Sequence, residues 1–306
     1  MNRGDWFKEA EWGVFIHFLA DANTPAESWD GIVDDFDAAG LAGQVSTAGA
    51  GYLFLTIGQN SGHYCSPNST YDDLVGIRPS KCSGRDLVLD LADALDERDL
   101  RLMVYLPSGA PAADDEALGK LGWRWGYEGK WPAGGRVRRG QRLAGFQLKW
   151  EAVIREWSLR WGSRVSGWWI DGCYFSDQMY RHREPPNFES FASALRAGNP
   201  DSIVAFNPGV MVPVITLTEH EDYTAGEISE AFPICPGEMV GNARYHVLSY
   251  LGERWGSGRP RFCEEFVRGY TRDVNQKGGV VTWEVPIEEN GLVQEAFMDQ
   301  LESLSG

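Results

Sequence analysis

Cysteine and histidine are scarce in this chain, and neither is arranged for metal binding. The five cysteines are odd in number, widely spaced and without a CxxC pair, so neither a structural zinc site nor a disulfide framework is expected. His182, His220 and His246 lack the HxH, HxxxH and HExxH spacings, and no DxD pair ends a predicted strand. We therefore predict no metal, no cofactor, and thiols that stay reduced and mostly buried.

Positive charge and long apolar runs are also in short supply. The 28 Lys and Arg residues face 44 Asp and Glu residues, and the net charge of -16 argues against nucleic acid or an anionic membrane surface as partner. No apolar run approaches the length of a membrane helix, and the first residues lack a secretory signal pattern. We expect either a cytoplasmic chain or one whose signal was removed, and the sequence does not decide between a monomer and a homo-oligomer.

Short apolar runs alternate with amphipathic stretches along the whole chain. Nearly continuous apolar strands separated by helices indicate a parallel sheet that is covered on both faces. We predict strands at 13–18, 52–56, 102–106, 166–170, 202–206, 222–228, 246–251 and 279–285, and helices at 37–48, 84–97, 142–161, 188–196, 264–275 and 293–304.

Eight such units favour an α/β fold of the (β/α)8 TIM-like barrel type. A doubly wound open sheet is the alternative, but no Gly-rich dinucleotide turn follows the first strand, and Gly49-Ala50-Gly51 precedes a strand rather than opening a helix. Because no linker, short repeat or composition break interrupts the chain, we predict a single domain over residues 1–306, without a C-terminal β-sandwich.

Polar residues stand at or just after the ends of the predicted strands, where the active site of such a barrel lies. Each has an ordinary structural explanation when taken alone: His17 as a core histidine, Asp171 as a helix cap, Glu227 as a surface carboxylate. Together they predict a convergent site, whose candidate residues are His17, Gln59, Asn60, His63, Tyr105, Trp169, Asp171, Asn207, Glu227 and Glu284.

Two of these carboxylates have the placement that glycoside hydrolysis requires. Asp171 and Glu227 are 56 residues apart, about two barrel units, so both can flank a bond across part of the barrel mouth. Hydrolysis needs one ionised carboxylate to attack carbon and one protonated carboxyl group to release the leaving oxygen. Asp171 is the candidate nucleophile and Glu227 the candidate acid/base, with Glu284 as the alternative acid/base.

Tryptophan, in contrast to cysteine and histidine, is abundant. Of the 13 tryptophans, several lie outside the predicted strands and helices: Trp29, Trp123, Trp125, Trp131 and Trp255. Two interpretations of this placement remain open. The tryptophans can be aromatic platforms on which a sugar face packs, or they can form hydrophobic lids and interfaces.

Four segments resemble the α-L-fucosidases of glycoside hydrolase family 29. They are residues 6–17 (WFKEAEWGVFIH), 169–172 (WIDG), 222–227 (DYTAGE) and 278–286 (GGVVTWEVP), in the family's order. The resemblance implies a retaining exo-glycosidase without a cofactor, acting on an oligosaccharide or glycoside. It further implies that His17 contacts the sugar, that Asp171 is the nucleophile and that Glu227 is the acid/base.

Two departures from that family concern sugar recognition. After the second strand the family has Lys-His-His-Asp-Gly-Phe, whereas this chain has residues 58–63 (GQNSGH), in which Gln59 and Asn60 are neutral and cannot titrate. The arginine that often follows the family's fifth strand is missing after Asn207. We expect a terminal α-L-fucoside or a related L-sugar glycoside as substrate. The alternatives are a non-catalytic carbohydrate-binding relative, and a lyase or isomerase on the same barrel.

Overall fold

The computed structural model describes residues 3–21, 23–124, 142–175 and 180–305. Its central feature is a seven-stranded parallel sheet in the order β5-β4-β3-β2-β1-β9-β8. These strands are β1 Trp12–Ile16, β2 Tyr52–Thr56, β3 Arg101–Pro107, β4 Val165–Asp171, β5 Ile203–Phe206, β8 His246–Tyr250 and β9 Val280–Glu284. A separate antiparallel pair is formed by β6 Met239–Val240 and β7 Ala243–Arg244.

The helices pack against the sheet; most cover its outside, whereas the first inserts Phe7 into its inside. They are α1 Asp5–Ala10, α2 Ala26–Asp34, α3 Ala38–Ala48, α4 Ser69–Val75, α5 Leu87–Asp96, α6 Asp115–Leu121, α7 Ala144–Trp161, α8 Phe188–Leu195, α9 Glu264–Gln276 and α10 Glu295–Glu302. The six predicted helices are confirmed, with ends within three residues of those observed. The helices that sequence periodicity did not reveal are α1, α2, α4 and α6, each of nine residues or fewer.

Helix α5 illustrates why the periodic segments fold as predicted. Leu87, Leu91 and Leu95 are fully buried along one face, and the side chain of Asp86 caps the helix by accepting a hydrogen bond from the backbone N–H of Leu89. Within the described ranges, no helix is both long and apolar enough to cross a membrane.

The strands sort their side chains into two apolar layers by strict alternation. One layer lies between sheet and helices; the other fills the inside of the curled sheet and includes Phe15, Phe54, Tyr105, Trp169 and Leu248. The inner layer is crowded, since a Cβ atom at Gly13 would overlap the Tyr52 ring. This packing is the filled interior expected of a TIM-like barrel.

The predicted sixth strand, 222–228, is not a regular strand. It bridges the two edge strands of the sheet: the Asp222 N–H donates to Val204 O of β5 at 2.9 Å, and the Leu248 N–H of β8 donates to Gly226 O at 2.9 Å. Gly226 has a φ of 62°, which interrupts the extended conformation, so only isolated bridges form. The segment still occupies the position between β5 and β8 that a (β/α)8 barrel gives to its sixth strand.

The stretch between β3 and α7, from Pro107 to Gly140, is rich in Gly and Trp and is described only in part. Helix α6 lies within it, and residues 125–141 lie outside the described residues.

Candidate active site

A cavity of about 280 Å³ opens at the carboxyl ends of the parallel strands. This is the end of a TIM-like barrel at which active sites are built. The residues that line it are Phe15, His17, Leu19, Gln59, Tyr105, Trp169, Asp171, Glu227, Leu248 and Trp255.

The alternation of side chains along the strands brings the polar residues together. Asp171 follows Trp169 by two positions on β4, and His17 follows Phe15 by two positions at the end of β1, so both continue the inward-facing series. The same spacing applies to Asn207 after β5 and to Glu284 on β9. The site is therefore the last, polar layer of the barrel interior.

Asp171 accepts a hydrogen bond on each of its carboxylate oxygens. The Tyr105 hydroxyl donates to Oδ2 at 2.6 Å, and the Asn207 amide Nδ2 donates to Oδ1 at 2.9 Å. Burial, and next the negative charge of Asp171, raise the pKa of Tyr105 well above its ordinary value. Tyr105 therefore keeps its proton and acts as the donor in this contact.

Asn207 connects the two candidate catalytic carboxylates. Its Nδ2 donates to Glu227 Oε2 at 2.6 Å as well as to Asp171 Oδ1 at 2.9 Å, one hydrogen for each. The two oxygens can be no farther apart than the sum of these contacts, about 5.5 Å. The Gly209 N–H donates to Asn207 Oδ1 at 2.9 Å, which fixes the orientation of the amide between the carboxylates.

Glu227 has the electrostatic environment of a proton donor. Burial raises its pKa to about 7; the Asn207 hydrogen bond opposes this shift, and the negative charge of Asp171 adds to it. A carboxyl group with a pKa near 7 is partly protonated at neutral pH. Glu227 can therefore deliver a proton beside Asp171, whose two carboxylate oxygens each accept a hydrogen bond.

Glu284 lies behind His17 rather than on the cavity wall. His17 Nδ1 is 3.1 Å from Glu284 Oε1, and the Gly256 N–H donates to the same oxygen at 2.7 Å. The Glu284 side chain is fully buried. Its contacts make it a partner that orients the His17 ring, whereas Glu227 reaches the cavity directly.

The three candidates after β2 do not share one location. Gln59 lines the cavity, and its Nε2 donates to the Tyr105 hydroxyl at 2.6 Å. Asn60 is exposed and is absent from the cavity wall, and His63 is buried with its ring 6.0 Å from that of Trp29. The chain turns here, because the Gly62 N–H donates to Gln59 O and Gly62 has a φ of 78°. Of the three residues, the structure brings Gln59 to the cavity.

Four wall residues were not predicted: Phe15, Leu19, Leu248 and Trp255. Strand alternation could have indicated Phe15 and Leu248, and the unusual tryptophan content pointed to Trp255 without locating it. The Trp255 ring lies 5.6 Å from that of His17 and 4.6 Å from that of Tyr250. Trp29 and Trp123 are buried, whereas Trp125 and Trp131 lie outside the described residues.

Two other kinds of catalytic site, a metal centre and a cysteine nucleophile, were compared with the residues around this cavity. Within the described parts of the chain, no group of three or more His, Cys, Asp or Glu residues could hold a metal ion. Cys173, two residues after Asp171, is fully buried, and burial raises the pKa of its thiol well above the ordinary value. It is therefore not placed to act as a thiolate nucleophile.

Similar folds occur among solved structures of glycoside hydrolases. An endo-fucoidan hydrolase of glycoside hydrolase family 107, P5AFcnA, superposes with a TM-score of 0.72 at 17% identity, over 99% of this chain and 92% of that chain. A second member of that family, MfFcnA4, gives 0.70 at 18% identity, and this chain spans only 53% of it. The α-L-fucosidase AlfC from Lactobacillus casei, in complex with its α-L-fucose product, gives 0.68 at 16% identity, over 99% and 96% of the two chains.

At these identities the likeness establishes the fold. The chain is an α/β protein of the TIM-like barrel type, as the sequence predicted. No protein-family model and no curated protein sequence matches it.

Proposed function

We propose that this chain is a retaining exo-glycosidase that hydrolyses a terminal α-L-fucoside or a related L-sugar glycoside. The observation that carries the proposal is the pair Asp171 and Glu227, whose nearest oxygens are within about 5.5 Å through one shared amide. Retaining glycosidases hold their carboxyl groups roughly 5–5.5 Å apart, whereas inverting enzymes need about 6.5–9.5 Å to admit a water molecule.

The proposed reaction has two displacements. In the first, a carboxylate oxygen of Asp171 bonds to the anomeric carbon, the glycosidic C–O bond breaks, and Glu227 transfers its proton to the leaving oxygen. In the second, water attacks the anomeric carbon while Glu227, now a carboxylate, takes the proton of that water. The bond between Asp171 and the sugar breaks, and both side chains return to their starting states.

The size of the cavity supports action on a terminal sugar. Its volume of about 280 Å³ lies just below the usual range for small-molecule sites, roughly 300–1,000 Å³. One sugar ring suits such a space better than a continuous chain does. Trp169 and Trp255 supply aromatic wall on which a sugar face can pack.

The choice of a fucoside rests on two further observations. The four sequence segments resemble α-L-fucosidases, and the similar folds include an α-L-fucosidase crystallised with α-L-fucose and enzymes named endo-fucoidan hydrolases. An enzyme of this kind needs a carbohydrate substrate and no cofactor.

The test is a screen of aryl α-L-fucoside, α-L-galactoside and α-L-rhamnoside with wild-type protein, Asp171→Asn and a matched control, Asp201→Asn. Asp201 is an exposed carboxylate two residues before β5, at the opposite end of that strand from the cavity. We expect turnover of the fucoside or a related sugar, a loss of roughly 10⁴-fold or more in kcat for Asp171→Asn, and no change for the control. Sugar binding by the wild type without turnover of any glycoside would contradict the proposal and favour a non-catalytic binding protein.

A further inference from the structure

Three hydrogen bonds in series connect Asn207, Asp171, Tyr105 and Gln59, which lies on the cavity wall, and the donor in each is fixed. The Asn207 amide nitrogen can only donate, so Asp171 is the acceptor at Oδ1; the Tyr105 hydroxyl gives its single hydrogen to Oδ2 at 2.6 Å. The Tyr105 oxygen can then only accept from its other neighbour. That neighbour is Gln59 Nε2, also at 2.6 Å.

This sequence of donors determines which way the Gln59 side-chain amide faces. If the amide were turned over, Gln59 Oε1 would lie against a Tyr105 oxygen whose hydrogen is already committed to Asp171, and two acceptors would repel each other. Gln59 Nε2 is therefore held towards Tyr105, and Oε1 is the polar atom left to satisfy. Among the described residues, no group donates to Oε1, and the side chain is partly exposed on the cavity wall.

From this geometry we infer that Gln59 is a specificity-determining residue whose Oε1 accepts a hydrogen bond from one free hydroxyl of the sugar. The inference rests on the proposed function and adds a requirement to it. A sugar that lacks an O–H at this position, through deoxygenation, O-methylation or O-sulfation, leaves Oε1 dehydrated and without a partner, so the site rejects it.

The hydrogen bonds from Gln59 through Tyr105 to Asp171, here called the relay, also make Gln59 behave differently from a histidine at the same position. A histidine offers a donor or an acceptor according to tautomer and protonation, whereas an amide held by Tyr105 offers the same acceptor at every working pH. Recognition of this hydroxyl should therefore not vary with pH between 5 and 8.

The experiment measures each enzyme variant with each substrate analogue. The kcat/KM is measured for 4-nitrophenyl α-L-fucoside and its 2-, 3- and 4-deoxy analogues, with wild-type protein, Gln59→Met and Tyr105→Phe. We expect one analogue to lose roughly 10- to 100-fold more on wild type than on Gln59→Met, because both changes remove the same hydrogen bond. Tyr105→Phe should show reduced discrimination at that same hydroxyl, because the Gln59 amide is then free to turn over.

The same combinations of enzyme variant and sugar analogue are compared by binding affinity, a measurement that needs no turnover. Titration calorimetry of L-fucose and its deoxy analogues with wild type and Gln59→Met reports the coupling even if catalysis is absent. Failure of the proposed function appears as no turnover of any glycoside by wild type. Failure of this inference appears as additive losses at all three hydroxyls, in kinetics and in binding alike, with both variants folded by circular dichroism.

Discussion

At the scale of single residues, the site gives two carboxyl groups different surroundings. Asp171 receives hydrogen bonds from Tyr105 and Asn207 on separate oxygens, whereas Glu227 receives one from Asn207. Burial then raises the pKa of Glu227 to about 7. This difference in surroundings supports the proposed roles, with Asp171 as nucleophile and Glu227 as acid.

The pH dependence of catalysis should follow Glu227. Because the proposed mechanism requires protonated Glu227, kcat/KM should fall above an apparent pKa of about 7, roughly tenfold per pH unit. A profile from pH 4 to 9 with an activated aryl glycoside measures this. The alkaline limb should disappear in Glu227→Gln, whose residual rate needs no proton from this residue. An unchanged limb in that variant would assign the proton donor to another group.

The same shift predicts a pH-dependent effect on stability. The folded-state pKa of Glu227, about 7, lies above its ordinary 4.5, so the folded state holds the proton more tightly and the resulting stabilisation is lost as pH rises through 7. Glu227→Gln removes a charge that is costly to bury. Its melting temperature should therefore exceed that of wild type at pH 8, with a smaller difference at pH 5.

Differential scanning fluorimetry at the two pH values is sufficient, with Asp201→Asn as the control for loss of a carboxylate. A Glu227→Gln difference that is equal at both pH values would contradict the shift, since an unperturbed carboxyl group is largely ionised at both.

At the level of secondary structure, the proposed acid, Glu227, lies on a segment that is not a regular strand. The segment 222–228 is held by one backbone hydrogen bond to Val204 of β5, by two to Leu248 of β8, and by a buried contact in which Thr224 O lies 2.8 Å from His246 Nδ1. Burial lowers the pKa of His246 to about 4, so its ring is neutral and Nδ1–H donates. These contacts fix the position of Glu227 without a continuous ladder.

Gly226→Ala should damage this segment selectively. Gly226 has a φ of 62°, and a Cβ atom there would overlap the backbone carbonyl of His246. We expect a loss of about 1–3 kcal/mol in the free energy of unfolding and a fall in kcat, measured by urea denaturation and by activity.

The matched control for that variant is Gly43→Ala, inside α3, where a Cβ atom meets no neighbour within 4 Å. Its helix propensity should make it neutral or more stable, by up to about 1 kcal/mol. Equal effects of the two substitutions would show that 222–228 tolerates a side chain and is not held as described.

The sequence predicted the strands and the long helices because apolar run length and helical period are local signals. It placed His17, Asp171, Asn207, Glu227 and Glu284 at strand ends for the same reason. It could not predict the relay from Gln59 through Tyr105 to Asp171, because that depends on the register in which Pro107 of β3 pairs with Asp171 of β4. Nor could it predict that Gln59 reaches the cavity while Asn60 and His63 do not, because this difference is due to a turn at Gly62.

At the scale of the whole molecule, the two ends of the chain meet in one sheet. Strand β1 lies between β2 and β9, with Phe15 paired to Phe54 on one side and to Glu284 on the other. Every parallel strand therefore presents its carboxyl end to the same mouth, which is how residues as distant as His17 and Glu284 come into contact.

That residues 1–306 form one domain stays a prediction, and a single cooperative thermal transition is its test.

The proposed mechanism requires Asp171 to form a covalent bond to the sugar, and intact-protein mass spectrometry detects such a bond. A 2-deoxy-2-fluoro α-L-fucosyl fluoride slows breakdown of the intermediate, because fluorine at C2 disfavours positive charge at the anomeric carbon while fluoride leaves readily. We predict one added sugar per wild-type chain, located by peptide mapping on Asp171, and none on Asp171→Asn. An active wild type that stays unlabelled, or that carries the sugar on Glu227 or Glu284, would show that Asp171 is not the nucleophile.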